Sequence, residues 1–395
     1  MLPLQTATPA TTELRLRPAE RSLIRLAFDL GAATCGGPLS ETEDQARRQV
    51  GDLPRNSDAK LREAAEAIWR GDDPLGAAYC AARPAAERRV VGSFYTPPEL
   101  VNPMVSWILG HAPARVVDAG CGSGRYAAEV ARRRPDLEIV AVDLDPIATL
   151  LTRATLAVLG APSARVVQAD YTALDLLGIA GRTAFVGNPP YVRHHDLTPA
   201  AKSWANKLAQ QLGLRLSGLA GLHVHFFLAT ALYARPGDVG CFVTSAEWLD
   251  VNYGSALRNV LLGYLGCRAI DLVDHAAVPF ADAMTTAVMT SFEVGSSPET
   301  VRLRLLAKPF EETRLGEGRE VSADLLRQAY RWSRNVAERN DGHDADTISL
   351  GDVARVHRGI VTGANSFFLL TREQAAILGL EEWCRPAITS AEEVL

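Results

Sequence analysis

The chain has 395 residues, of which 47% are hydrophobic and 22% are charged, a composition typical of a globular protein with a large buried core. The length is sufficient for two or three domains. Because 41 lysines and arginines stand against 46 aspartates and glutamates, the formal charge of −5 excludes a uniformly basic, DNA-gripping surface, so any basic region must be local or supplied by a partner or a further segment.

Residues 1–88 are interpreted as a helical N-terminal region. Its first residues, up to about position 20, are rich in threonine, proline and alanine and predict a loose end. From there to residue 82 a pattern rich in alanine, leucine, arginine and glutamate predicts helices, interrupted near residues 36–38 and 52–54. No catalytic constellation lies in this part, so we interpret it as a cap or as a docking region for a partner.

From residue 115 the sequence changes to short β-rich runs that alternate with helices. Strands are predicted at residues 115–118, 138–143, 165–169, 184–187, 239–244, 269–273, 286–292 and 301–306, and helices at residues 126–134, 146–159, 222–234 and 253–265. This alternation predicts an α/β fold with a doubly wound, mainly parallel sheet, which we assign to residues 89–335. In such sheets a ligand lies at the carboxyl ends of the strands.

A glycine-rich turn follows the first of these strands. Asp118 ends the strand, Gly120, Gly122 and Gly124 follow, and Tyr126 opens a helix. Glycine permits positive φ and has no Cβ, so the backbone can approach a ligand closely. The spacing Gly-x-Gly-x-Gly differs from the Gly-x-Gly-x-x-Gly of dinucleotide sites, and plain packing glycines are the alternative interpretation.

Two acidic residues end the next two predicted strands. Asp143 ends the second strand, where a carboxylate can accept hydrogen bonds from both ribose hydroxyls. Asp170 ends the third strand, where its side chain can accept an adenine amino group, and Tyr171 can stack beside that adenine. Together with the glycine turn, these strand ends predict a site for a nucleoside-bearing cofactor.

The tetrapeptide Asn188-Pro189-Pro190-Tyr191 follows the fourth strand and is suited to hold a planar amino nitrogen. Such a nitrogen is a poor nucleophile because its lone pair is delocalised, and two acceptors placed out of plane draw its N–H bonds aside. The Asn188 amide oxygen and the Pro189 carbonyl can be these acceptors, while the two prolines stiffen the loop and Tyr191 can stack on the base. The motif predicts methyl transfer from S-adenosylmethionine to an adenine-type or a glutamine-type nitrogen, without separating the two.

The combined motifs resemble the gamma group of N6-adenine DNA methyltransferases, to which many restriction-modification methylases belong. The resemblance is carried, in the order of that family, by Phe94-Tyr95-Thr96-Pro97-Pro98, by residues 118–124, by Asp143-Leu144-Asp145-Pro146 and by residues 187–191. Residues 242–249 and 278–289 also resemble later family segments. The resemblance implies a Rossmann-like methyltransferase fold, S-adenosylmethionine as cofactor and an adenine flipped out of duplex DNA as substrate.

For the cofactor, the resemblance implies a role for each motif residue. Tyr95 and Thr96 would flank the methionine moiety. Asp118 and the three glycines after it would contact the amine side of the methionine. Asp143 would hold the ribose and Asp170 the adenine.

For the target base, the resemblance implies that Asn188, Pro189 and Tyr191 hold the amine and that Phe280 presses the base against Tyr191. Residues 356–368 resemble the opening of the family's C-terminal target-recognition domain, which continues much further in relatives. We therefore interpret residues 336–395 as a linker and the incomplete start of such a domain. A missing recognition domain or a partner subunit would then read the DNA sequence.

Two other classes of function remain open at this point. One is a methyltransferase for structured-RNA adenine or for a protein glutamine, such as that of a release factor. The other is a methylase-like subunit that is active only with partner proteins, as in multi-subunit restriction or phage-defence systems. The helical N-terminal region and the short tail keep the second class open.

The remaining features predict a cytoplasmic protein without a metal site. The six cysteines are widely scattered with no Cys-x-x-Cys pair, which argues against zinc and against a disulfide framework. The N-terminus has no apolar run of signal-peptide length, and the most apolar helical stretch, residues 222–234, is too short to span a bilayer.

Overall fold

The computed structural model describes residues 14–84, 87, 96–274, 286–307, 310, 313–336, 353 and 365–386. The chain divides into two compact units, Met1–Arg339 and Asn340–Leu395, and each is considered by itself. Within the described ranges, no helix has both the length and the apolar character that a membrane crossing requires.

A nine-stranded mixed sheet forms the centre of the first unit, in the order β3-β2-β1-β4-β5-β7-β6-β8-β9. The strands are β1 (Arg115–Ala119), β2 (Glu138–Asp143), β3 (Ala164–Gln168), β4 (Thr183–Gly187), β5 (Val239–Ser245), β6 (Cys267–Val273), β7 (Ala287–Glu293), β8 (Thr300–Leu306) and β9 (Arg319–Ser322). The first five strands run parallel, and β7 is antiparallel to both of its neighbours. The predicted α/β fold with a doubly wound, mainly parallel sheet is therefore confirmed.

Helices cover both faces of this sheet. They are α1 (Pro18–Asp29), α2 (Glu41–Gln49), α3 (Asp58–Arg70), α4 (Pro74–Ala82), α5 (Pro98–Gly110), α6 (Arg125–Arg133), α7 (Pro146–Leu159), α8 (Pro199–Gln211), α9 (Leu222–Tyr233), α10 (Ser255–Val260), α11 (Ala323–Gln328) and α12 (Ser333–Val336). A π-helical turn, Leu261–Leu265, continues α10. The eight predicted strands and four predicted helices all occur, whereas α5, α8, α11, α12 and β9 were not predicted.

The central strands are buried on both faces because each face packs on helices. Val116 and Ile139 belong to one apolar cluster, and their neighbours Val117 and Val140 belong to the other. This alternation follows from the two-residue period of a strand. Strands covered on both faces are continuous apolar runs, which is why the sequence pattern located them well.

The described N-terminal helices share the core of the sheet instead of standing apart from it. Residues of α1 to α4 join the same apolar cluster as α5, α6 and α7. A buried ion pair reinforces this packing: Arg153 Nε of α7 lies 2.8 Å from Glu43 Oε1 of α2. The boundary at residue 88 stays a prediction, although these contacts show that the described helices before it are integral to the first unit.

The second unit is described only over a short stretch. It contains the helices α13 (Asn365–Phe368) and α14 (Arg372–Ile377). Thr371 begins α14 with a capping box, in which its hydroxyl accepts from the Gln374 backbone N–H and the Gln374 side chain accepts from the Thr371 N–H.

Candidate active site

A cavity of about 540 Å³ opens at the carboxyl ends of β1, β2, β3 and β4. This volume lies within the range of about 300–1,000 Å³ that small-molecule sites occupy. Eight residues singled out from the sequence line the cavity: Thr96, Gly120, Gly122, Asp143, Asp170, Tyr171, Asn188 and Pro190. The structure thus brings the ends of four different strands together around one space.

The glycine turn forms one wall of this cavity. Gly120 and Gly122 have φ angles of +72° and +56°, in the region that favours glycine. The turn is tied to β2, because the Gly120 and Cys121 backbone N–H groups both donate to the Val142 carbonyl at 2.9 Å. Gly124 lies deeper, where a Cβ would approach the Thr152 side chain to 3.0 Å, and it does not line this cavity. It starts α6 with a φ of +87°.

Asp118 bonds to the first turn of α6, the helix that follows the glycine turn. Its side chain is buried, and one carboxylate oxygen accepts the Ala127 backbone N–H at 3.0 Å. Its other oxygen has no hydrogen-bond partner among the residues that the structure describes. Burial raises the pKa of Asp118 to about 7. The structure does not bring this residue to the cavity wall, so its expected contact with the methionine amine stays a prediction.

Asp143 connects β2 to the glycine turn. Its two carboxylate oxygens accept the backbone N–H groups of Gly122, at 2.8 Å, and of Asp145, at 2.9 Å. Burial, with a smaller contribution from the charge of Asp145, raises the pKa of Asp143 to about 6. Each oxygen retains further acceptor capacity and Asp143 lines the cavity, so the carboxylate suits two adjacent hydroxyl donors such as those of a ribose.

Removing the Asp143 carboxylate should weaken cofactor binding by about 10- to 100-fold, because hydrogen bonds to a charged group contribute about 1.5–3 kcal/mol. Affinity of the unchanged chain should also fall as the pH drops through about 6, where Asp143 becomes protonated. Calorimetric titration of Asp143→Ala with S-adenosylmethionine tests this, with Asp136→Ala, an exposed acid on the loop before β2, as the control. Unchanged binding by a folded Asp143→Ala variant would remove Asp143 from the site.

Asp170 and Tyr171 form the wall beyond β3. The Asp170 carboxylate accepts both the backbone N–H and the hydroxyl of Thr172 at 2.8 Å, which caps a short 3₁₀ turn. The Tyr171 ring stacks on Phe226, with centroids 4.9 Å apart and planes 24° apart, and its hydroxyl shares a hydrogen bond with Thr230 at 2.8 Å. The Tyr171 ring is therefore held rigidly at the cavity edge.

The Asn188-Pro189-Pro190-Tyr191 loop begins where β4 ends. Gly187 precedes it, and a Cβ there would lie 2.4 Å from the Ala119 carbonyl oxygen, so only glycine allows β1 and the loop to come this close. Asn188 and Pro190 line the cavity, whereas Pro189 and Tyr191 do not. Burial raises the pKa of Tyr191 well above its usual range, so its hydroxyl stays neutral.

The end of the loop is also fixed, since the Leu222 backbone N–H, at the start of α9, donates to the Val192 carbonyl at 3.0 Å. Thr96 lies on the opposite side, where its carbonyl accepts from Arg125 at 2.6 Å and its hydroxyl accepts from Tyr126 at 3.2 Å. Two predicted site residues, Tyr95 and Phe280, lie outside the described residues.

Sequence reasoning missed one part of the cavity, the contribution of the N-terminal helices. Tyr79 of α4 and Arg83, which follows it, line the cavity beside Asp145. No local motif marks either residue, and both reach the site through their hydrogen bonds to Asp145, the residue that caps α7.

Sequence comparisons identify related families. The sequence model of the Eco57I restriction-modification methylase matches residues 181–275, and that of the C-terminal domain of the type II methyltransferase M.Eco57I matches residues 334–394. A general methyltransferase domain matches residues 116–214. These matches cover the cofactor turn, the tetrapeptide and the tail.

Individual methyltransferases are also similar to this chain, one over most of its length and another over a short part. The type II methyltransferase M.XamI of Xanthomonas campestris pv. amaranthicola is 40% identical over 351 residues, which cover 88% of this chain and 64% of that protein. The chain thus spans somewhat less than two thirds of this relative's length. The release factor glutamine methyltransferase of Escherichia coli (strain K12) is 34% identical over 90 residues, 22% of this chain and 31% of that protein.

The fold also matches a solved structure, that of the type IIG restriction endonuclease BpuSI, with a TM-score of 0.55 and 18% sequence identity. The match covers 91% of this chain and 50% of that one. At this identity the similarity establishes the fold alone.

Proposed function

We propose that this chain, which matches the Eco57I-type restriction-modification methylase models over residues 181–275 and 334–394, is a site-specific DNA methyltransferase. It would transfer a methyl group from S-adenosylmethionine to N6 of an adenine flipped out of duplex DNA, in a restriction-modification or phage-defence system. One observation carries this proposal: Asn188 and Pro190 face the same cavity as Asp143 and Asp170. The loop suited to hold a planar amine thus lies beside a pocket suited to a nucleoside.

The residues present fit S-adenosylmethionine. Asp143 and Asp170 lie on one side of the cavity and supply acceptors for ribose hydroxyls and for an adenine amino group. The glycine turn offers a backbone surface without side chains, and Thr96 lies toward the proposed methionine end. When bound, the cofactor supplies an electrophilic methyl group on its sulfonium.

The chemistry required of the chain is orientation of the amino nitrogen. The Asn188 amide oxygen and the Pro189 carbonyl would accept the two N–H bonds of adenine N6 and direct its lone pair toward the methyl carbon. A new N–C bond forms as the S–C bond breaks, and one amino proton leaves to solvent. Direct transfer needs neither a covalent enzyme intermediate nor a strong base.

Tyr191 and Phe280 would clamp the extruded base by stacking, which contributes roughly 1–3 kcal/mol per base. Tyr191→Ala should therefore lower the methylation rate at subsaturating DNA more than Tyr191→Phe, which keeps the ring. Initial rates for both variants test this, with the exposed Tyr330→Ala as the control. Equal loss in both Tyr191 variants would show that the hydroxyl matters and that stacking is the wrong account.

The alternatives are a methyltransferase for RNA adenine or protein glutamine, and a subunit active only with partners. The match to the release factor enzyme supports the glutamine alternative, because glutamine presents the same planar amide nitrogen. Its extent is small, however: it covers 22% of this chain, against 88% for the type II DNA methyltransferase relative. The Eco57I-type tail match also favours DNA.

Methyl transfer from labelled S-adenosylmethionine to duplex DNA, structured RNA and release factor protein distinguishes these functions. We expect label in DNA, recovered as N6-methyl-2′-deoxyadenosine after digestion with nuclease and phosphatase. Label in RNA or protein alone would overturn the proposal. We propose that sequence reading requires a further recognition domain or a partner subunit, so the assay should be repeated with the gene products encoded beside this chain. Activity seen only in their presence would favour the subunit alternative.

A further inference from the structure

Residues at both ends of the N-terminal helix α4 bond to loops that border the cavity. It spans residues Pro74–Ala82, a length of about 13 Å at 1.5 Å per residue. The residue before it, Asp73, bonds to the glycine turn, and the residues at its end, Tyr79 and Arg83, bond to the loop after β2. These two loops are the ones proposed to hold the cofactor.

At its first end, α4 fixes the glycine turn through a single carboxylate. One Asp73 oxygen accepts the Gly76 backbone N–H at 2.7 Å and so caps α4. The other accepts the Ser123 hydroxyl at 2.6 Å and Arg125 Nε at 2.7 Å. Arg125 in turn donates to the Thr96 carbonyl at 2.6 Å, so Asp73 also holds the residue proposed to lie at the methionine end.

At its second end, α4 fixes the loop that follows Asp143. The Tyr79 hydroxyl donates to an Asp145 carboxylate oxygen, and Arg83 donates to the same oxygen at 2.7 Å. The Arg83 guanidinium also lies over the Tyr79 ring, 4.6 Å from its centroid. The other Asp145 oxygen caps α7 by accepting the Ile147 N–H at 2.8 Å.

Arg83 is itself held from the far side of the N-terminal region. Its Nε donates at 2.8 Å to Glu20 of α1, whose side chain is 5% exposed. Burying Glu20 costs desolvation, so the Arg83–Glu20 salt bridge contributes little net stability. Its role is better explained as holding the Arg83 side chain in position. The side chains of Tyr79 and Arg83 line the cavity, so this positioning acts on the cavity wall itself.

We propose that α4 is a clamp for the cofactor, with Asp73, Tyr79 and Arg83 as positioning residues that hold the glycine turn and the β2–α7 loop at their binding separation. The inference rests on the proposed use of S-adenosylmethionine. It gives the N-terminal helices a part in cofactor binding that a docking region for partners would not have. Tyr79 and Arg83 line the cavity and bond to Asp145, two residues after Asp143, and therefore form the wall on the proposed ribose side.

Two variants of the full chain test the clamp: Asp73→Asn and Arg83→Met. The Asp73 and Arg83 variants should each raise the dissociation constant for S-adenosylmethionine by about tenfold, the effect of losing one hydrogen bond to a charged group. The Michaelis constant for the cofactor should rise in parallel, while kcat at saturating cofactor stays within about twofold, because ground-state binding alone is lost. Arg83→Lys, which keeps the charge, should recover part of the affinity.

The matched control is Arg48→Met, which removes another arginine of the N-terminal region whose exposed ion pair with Asp44 lies away from the cavity. Its dissociation constant should be unchanged. If the wild-type chain binds S-adenosylmethionine and folded Asp73→Asn and Arg83→Met variants bind it equally well, the clamp is wrong and the proposed function stands. A wild-type chain that binds no S-adenosylmethionine overturns both.

Amide hydrogen exchange on the wild-type chain tests the clamp even if the variants do not fold. Saturating S-adenosylmethionine should slow amide hydrogen exchange in residues 74–82, because cofactor binding would restrain the clamp. Exchange in α2, which does not line the cavity, should change little. Cofactor binding without added protection of α4 would overturn the inference.

Discussion

Replacing Asn188 with alanine should lower the rate of methyl transfer by about 100- to 1,000-fold and leave cofactor binding nearly intact. Loss of one preorganised polar contact to the reacting group costs about 2.7–4 kcal/mol, and Asn188 would supply such a contact to adenine N6. The Gly187 backbone against Ala119 on one side and the Val192 bond to α9 on the other hold the loop in place. The variant should therefore keep its loop geometry.

The measurement is a single-turnover methylation rate at saturating cofactor, with calorimetry of S-adenosylmethionine binding on the same preparation. Asn102→Ala, an exposed asparagine on α5, is the control and should keep full activity. A folded Asn188→Ala variant that retains more than about a tenth of the wild-type rate has lost only ~1.4 kcal/mol, too little for a residue that orients the nucleophile.

The sequence predicted the parts of the fold that rest on local pattern. Helix α7 was predicted with both ends correct, because Asp145 and Pro146 form a helix start and Gly160 a helix end. The buried strands β1, β2 and β4 were predicted because their residues are apolar on both faces. Once the strand ends are known, the parallel order places their polar residues at one edge, so most of the cavity wall could be predicted as well.

The missed helices show where local pattern misleads. Helix α5 begins in a proline-rich segment and contains Pro103, which removes an intrahelical hydrogen bond and argues against a helix. Burial of Val101, Met104 and Ile108 against the sheet offsets that cost. Such tertiary stabilisation has no signature within the segment itself.

The contribution of α4 to the site could not be predicted for a related reason. Tyr79 and Asp145 are 66 residues apart in the chain, and Arg83 and Glu20 are 63 apart. Their side chains meet only after the N-terminal helices have packed on α7. The motifs identified the residues that face a ligand, while the residues that hold them in place depend on the whole fold.

Breaking the buried ion pair between Glu43 and Arg153 should destabilise the chain by about 3–5 kcal/mol, because it leaves an uncompensated buried charge. The two side chains are 0% and 1% exposed. Arg153 also donates to backbone carbonyls on both sides of the contact: those of Cys35, Gly37, Pro38 and Val166. Loss of Glu43 would thus disturb the anchor of the N-terminal helices on α7.

Urea unfolding of Glu43→Ala, beside Glu41→Ala on the exposed side of α2, tests this prediction. The double variant Glu43→Leu/Arg153→Met should recover only part of the stability, because it removes the uncompensated charge but leaves four backbone carbonyls without their Arg153 donor. Helices α2 and α4 pack in the same apolar cluster. If α4 acts as the proposed clamp, Glu43→Ala should therefore also weaken cofactor binding. A loss of less than about 1 kcal/mol, the usual size for an exposed pair, would show that the N-terminal helices are held mainly by their apolar contacts.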